Sequence, residues 1–117
     1  MESFDGDPCH PLLPDPYSWA VVEFTYRSHP TDLLETYIDL LFARGGVERW
    51  LRFLCPRQVE LPLGQMGWWC RVYVADVTAR QMEGIRVRVG SFEHDWCVPS
   101  FWAASVAEVA EERHVKQ

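Results

Sequence analysis

The 117-residue chain contains no asparagine, one lysine and two isoleucines, and ten arginines carry nearly all of its positive charge. A GC-rich coding sequence produces this bias, so arginine in place of lysine says little about function by itself. No run comes near the roughly 18 consecutive apolar residues that a membrane helix needs. The opening MESFDGDPCHPLLPDP is acidic and broken by prolines, unlike a secretory leader. A cytoplasmic protein with no membrane partner is therefore expected. The sequence has no Cys-x-x-Cys pair, no Gly-x-Ser-x-Gly, no His-Glu-x-x-His and no calcium loop. Gly45-Gly46 and Gly64-x-x-Gly67 lack the lysine and the helix entry that make a phosphate loop. No cofactor and no metal are expected, and an active enzyme is the minority reading.

What is present is a composition that can fill a core. Hydrophobic residues make up 48%, including six Trp, six Phe and four Tyr. That suits one globular domain of this length. The net charge of −6 is unevenly spread: residues 61–92 carry +2, while 1–18, 19–60 and 93–117 are negative. An acidic total disfavours general binding to DNA or anionic membranes. The four cysteines (Cys9, Cys55, Cys70, Cys97) read as free thiols in the absence of an export signal.

Residues 1–18 read as an irregular, acidic, proline-rich arm, in which Pro11-Leu12-Leu13-Pro14 is apolar enough to pack across the domain. Residues 19–117 read as a single domain. Trp19 to Arg27 alternates and predicts a strand, with Ala20, Val22, Phe24 and Tyr26 on one face. Pro30-Thr31 opens a helix in which Leu34, Tyr37, Ile38 and Leu41 recur at helical spacing and Gly45-Gly46 provides the stop. A second short helix spans Val47 to Leu54. Gln58 to Leu63 fits an edge strand, and 68–76 pairs with 85–89 as a hairpin across a single turn at 78–84. Pro99-Ser100 opens a C-terminal helix with Trp102, Val106, Val109 and Ala110 as its stripe. The fold class expected is α+β: an antiparallel sheet of three to five strands with two or three helices packed on one face.

The stretch GWWCRVYVADVTARQMEGIRVRVG holds the candidate site. If the apolar sets of the hairpin share a face, Cys70, Val72 and Val74 oppose Val89, Val87 and Ile85. The opposite face then collects Trp69, Arg71, Tyr73, Arg86 and Arg88. Three guanidinium groups crowded together cost stability unless something offsets them. Stacking on Trp69 and Tyr73 with pairing to Glu23 or Glu83 would do so internally, and a partner would do so externally. Trp, Tyr and Arg are the residue types that dominate interface energetics.

The expected function is a small non-catalytic interaction module of inhibitor, immunity or regulatory type. It would occupy a protein partner, or a second copy as a homodimer, through this face. Two alternatives stand beside it. One is a cysteine-dependent enzyme using Cys97 or Cys70, for which Glu93-His94-Asp95-Trp96-Cys97 is the densest reactive cluster; in an extended segment His94 and Cys97 point to opposite faces. Cys9-His10 with His94-x-x-Cys97 supplies zinc-type ligands at poor spacing. The other alternative is a binder of single-stranded nucleic acid through the same arginines and aromatics, or an acidic mimic of nucleic acid.

Overall fold

In the computed structural model, residues 8–13, 19–32, 35–60, 69–70, 73–90 and 100–109 are described. These residues form strands, not the α+β arrangement expected: no helix longer than a single turn occurs among them. The strands are β1 (Ala20–Arg27), β2 (Tyr37–Arg44), β3 (Val47–Leu54), β4 (Arg57–Glu60), β5 (Trp69–Cys70), β6 (Tyr73–Asp76), β7 (Val87–Gly90), β8 (Ser100–Ala103) and β9 (Ser105–Val109). They make a five-stranded antiparallel sheet, β5-β1-β2-β3-β9, and a four-stranded one, β4-β8-β7-β6.

Three expected helices are overturned, each for a physical reason. Tyr37–Arg44 is the central strand of the larger sheet, and its residues Ile38 to Phe42 are buried on both faces. A strand covered on both sides loses its alternation and reads as a continuous apolar run, which helical spacing also fits. Gly45 and Gly46 both have positive φ, at 56° and 87°. They form the tight two-residue reversal between β2 and β3, so the glycines that read as a helix stop make a hairpin. The third helix is replaced by β8 and β9, which meet at a bend at Ala104.

That bend is one of two corners where the chain passes between the sheets. At Cys55-Pro56 the chain leaves β3 in the larger sheet and enters β4 in the smaller; at Ala104 it returns from β8 to β9. The corners adjoin: the Ala104 N–H donates to Leu54 O at 2.8 Å, and the Cys55 N–H donates to Thr36 O at 3.0 Å. Cys55 itself takes a positive φ of 54°. Through these corners the segments β5, β1, β2, β3/β4, β9/β8, β7 and β6 follow one another as antiparallel neighbours in two layers, with β5 and β6 at the edges.

The layers enclose one core. Val21, Ile38, Leu40, Phe42, Leu51 and Phe53 from the larger sheet meet Val74, Val87, Val89, Phe101 and Ala103 from the smaller. Phe53 and Phe101 pack edge to face with centroids 5.2 Å apart, an arrangement aromatic quadrupoles favour. The strand at 20–27 is present, but a bulge between Val21 and Glu23 slips its phase. Val21, not Val22, joins Phe24 against the core, and Val22 is left exposed. The N-terminal segment also docks. The Asp76 N–H donates to Pro8 O and the His10 N–H to Val74 O, both at 2.8 Å, and Leu13 is fully buried in the core.

Candidate partner-binding face

Strand alternation fixes the outer surface of the smaller sheet. Phe101 and Ala103 point into the core, so Trp102 between them points out. The cross-strand register sets Arg88 of β7 on one side of Trp102 and Arg57 of β4 on the other. The Arg88 guanidinium lies 4.8 Å from the Trp102 ring centroid, and Arg80 reaches the same ring at 6.0 Å. Each contact is of the cation–π kind, about 0.5–1 kcal/mol at a partly exposed site.

Arg80 is positioned by the 3-10 turn Thr78–Arg80. An Asp76 carboxylate oxygen accepts the Thr78 N–H at 2.9 Å just ahead of that turn. Hydrogen bonds from the Thr78 hydroxyl and N–H hold the Asp76 carboxyl below the usual carboxylate range. Gln81 closes the turn in the left-handed region. Arg57 is supported differently: its guanidinium rests against Gly84, where a Cβ would lie 3.5 Å from Nη2.

The residues predicted for the face divide. Arg86 and Arg88 lie on it, two positions apart, with Arg86 exposed and Arg88 half-buried. Tyr73 shares their side of the sheet but is fully buried beside Ala75 and Val77, with Cys9, Ile85 and Trp102 packed against them. Its hydroxyl accepts a hydrogen bond from the Cys9 thiol at 3.2 Å. Trp69 pairs through its backbone with Val21 in the larger sheet, and Arg71 lies outside the described residues. The hairpin itself forms in another register. Val74 opposes Val89 and Ala75 opposes Arg88, so neither Arg71–Arg88 nor Tyr73–Arg86 is the cross-strand pair. The sequence reading missed Arg57, Arg80 and Trp102. A strand reading of Ser100-Phe101-Trp102-Ala103 would have placed Trp102 opposite the core.

On the larger sheet Arg52 and Arg49 each meet a carboxylate. Arg52 forms a bidentate pair with Asp39 at 2.8 and 2.9 Å, and its guanidinium lies 4.0 Å over the Tyr37 ring. The hydrogen bonds to Asp39 push the Arg52 pKa further up. Asp39 is 1% exposed. At the end of the same sheet, Trp19 is 5% exposed beneath Arg44 at 4.5 Å and Arg49 at 5.7 Å, and Arg49 is in turn bidentate to Glu108.

Among the described residues the reactive side chains do not converge. Cys9 bridges Ala75, so it shares the Tyr73 side of the sheet, while adjacent His10 lies on the other side near Asp76. Cys55 is a buried thiol, and His94, Asp95 and Cys97 lie outside the described residues, as does the zinc-type pair they supply. Among the described residues no group of three or more His, Cys, Asp or Glu side chains is placed to hold a metal ion. Nor is any helix among them long and apolar enough to cross a membrane. No protein-family model, no curated protein and no solved structure matches the chain.

Proposed function

We propose that this protein is a non-catalytic interaction module, of inhibitor, immunity or regulatory type, that occupies an acidic protein surface through the outer face of its smaller sheet. Arg57, Arg80, Arg86 and Arg88 gather there round the half-buried Trp102, and Arg57, Arg80 and Arg86 are exposed. The observation that carries the reading is the Arg80–Trp102–Arg88 stack. A tryptophan on a strand in contact with two guanidinium groups, one from a strand and one from a short turn, is pre-organised, so little side-chain entropy remains to be lost on binding. The net acidity of the chain makes a local cationic face selective: it attracts an acidic surface while the rest of the molecule repels it. The compartment in which this happens is proposed to be the cytoplasm, and a second copy of the chain is the homodimeric version of the same partner.

The test is capture from a nuclease-treated lysate of the source with wild type and with Arg80→Glu/Arg86→Glu, followed by titration of the purified partner. Both residues are exposed, so the double variant is expected to fold normally. Charge reversal should weaken binding at least tenfold, the equivalent of about 1.4 kcal/mol. Equal affinity of the two forms, or a wild type that retains nothing and stays monomeric, overturns the reading. Binding to a labelled single-stranded oligonucleotide that falls steeply with salt would instead assign the face to nucleic acid.

A further inference from the structure

We propose that β4, an edge of the smaller sheet, pairs antiparallel with β4 of a second copy of this chain, across a two-fold axis that sets Arg57 against the copy's Glu60. The two edges of this sheet differ. At β6 the edge meets the chain's own Cys9, which bridges Ala75. At the other edge β4 pairs with β8, and no second strand lies against it among the described residues. No further backbone hydrogen bond reaches Arg57–Glu60 among them either. Such an edge carries N–H and C=O groups that another strand can satisfy.

A second copy is the occupant because Arg57-Gln58-Val59-Glu60 complements itself in charge when reversed. An antiparallel pair centred on Gln58 and Val59 brings Arg57 to Glu60 at both ends, so one two-fold interface satisfies both pairs. In an unbroken strand these two residues would point to opposite faces. A bulge removes that obstacle. Arg57 pairs with Trp102 and Glu60 with Ser100, so three steps along β4 match two along β8. Gln58 takes up the extra residue with a positive φ of 53°. Trp102 and Ser100 point outward, and Arg57 and Glu60 follow them, while Val59 packs against the core. Both charged side chains are exposed, and neither is ion-paired among the described residues. The axis runs perpendicular to the sheet, so the outer faces of both copies look the same way and two Trp102 clusters share one surface.

Charge swapping in the full chain tests the pairing. Sedimentation velocity from micromolar to millimolar protein is the readout, with circular dichroism as the check on folding. Wild type should move towards twice the monomer mass as concentration rises, and added salt should oppose the shift. Arg57→Glu alone and Glu60→Arg alone each set like charges together and should weaken the dimer by at least about tenfold. Arg57→Glu/Glu60→Arg in one chain should restore it. An equimolar mixture of the two single variants should dimerise as well, because every Glu then meets an Arg. A wild type that stays monomeric at every concentration overturns the proposal. So does a single variant that dimerises as wild type does, and so does a mixture that stays monomeric. Arg80→Glu/Arg86→Glu should leave this dimer intact, and its loss there would move self-association to the Trp102 face and overturn the β4 pairing.

Discussion

Trp19 and Trp102 both lie against arginines, and the molecule uses them in opposite ways. Trp19, on the larger sheet, is sealed under Arg44 and Arg49, with Glu108 neutralising Arg49 through two hydrogen bonds. Its indole N–H has no hydrogen-bond partner among the described residues, a cost accepted for tight burial. Trp102, on the smaller sheet, is half-buried between Arg80 and Arg88, with exposed Arg57 and Arg86 alongside. The same chemistry therefore closes one end of the core and, on the other sheet, furnishes a cationic, aromatic surface. What separates the two is burial: Trp19 is 5% exposed and Trp102 is half-buried.

The contrast is broken most forcefully at Arg52. Arg52→Ala removes the bidentate partner of a carboxylate that is 1% exposed, and a loss of about 3–5 kcal/mol is expected from urea unfolding. Arg88→Ala on the smaller sheet removes a cation–π contact of about 0.5–1 kcal/mol and should leave the fold almost as stable. A loss at Arg88 equal to that at Arg52 would erase the distinction between the two sheets. A smaller effect is expected at Arg49–Glu108: a double-mutant cycle with Arg49→Ala and Glu108→Ala should give a coupling of about 0.2–1 kcal/mol, because Glu108 is largely exposed.

Acid sharpens the comparison further, since its effect should fall on the smaller sheet. Burial lowers the His10 pKa, opposed by Asp76, so the folded arm favours the neutral imidazole. The stability this confers is complete above the ordinary histidine value near 6.5 and is lost as pH falls through it. Protonation also removes the Nδ1 acceptor that holds the Leu12 N–H. Asp76, whose pKa is also lowered, acts in the same direction but in the more acidic carboxylate range. Protection factors at His10 and Asp76, with the slower intrinsic exchange in acid divided out, should therefore fall as pH drops below about 6.5, ahead of those in β2 and β3. His10→Gln should abolish the difference, and unchanged protection factors in wild type on acidification would exclude His10 as the acid-sensitive contact.

How much of this was legible in the sequence depended on how many faces a strand buries. β1 was visible because one of its sides meets solvent, though its bulge was not. β2 was hidden because Asp39 and Leu41 are buried on the side away from Ile38, Leu40 and Phe42. β8 and β9 were hidden by the corner. Core-facing positions are 101 and 103 before it but 106 after it, so the alternation slips by one residue at Ala104. Across that slip Trp102, Val106 and Val109 mimic a helical stripe. The face segregation of Arg86 and Arg88 was readable from parity alone. Their neighbours were not, because Trp102 and Arg57 come from strands distant in sequence and Arg80 from a turn with no periodicity.

The placement of β8 and β9 has a consequence for the nascent chain. They lie between β3/β4 and β7 in the strand order, yet they are the last of the described strands to leave the ribosome. Until they emerge, β3 and β7 each lack the strand that joins them, and Phe101 and Ala103 are missing from the core that Leu51, Phe53 and Val89 share. Closure waits on pairings such as Trp50 with Val109, far apart in sequence and of the kind whose chain-ordering cost slows folding. During that interval the open edge of β3 is a template for any extended strand nearby, so translation speed and chaperone access bear on how much of this protein reaches its closed form.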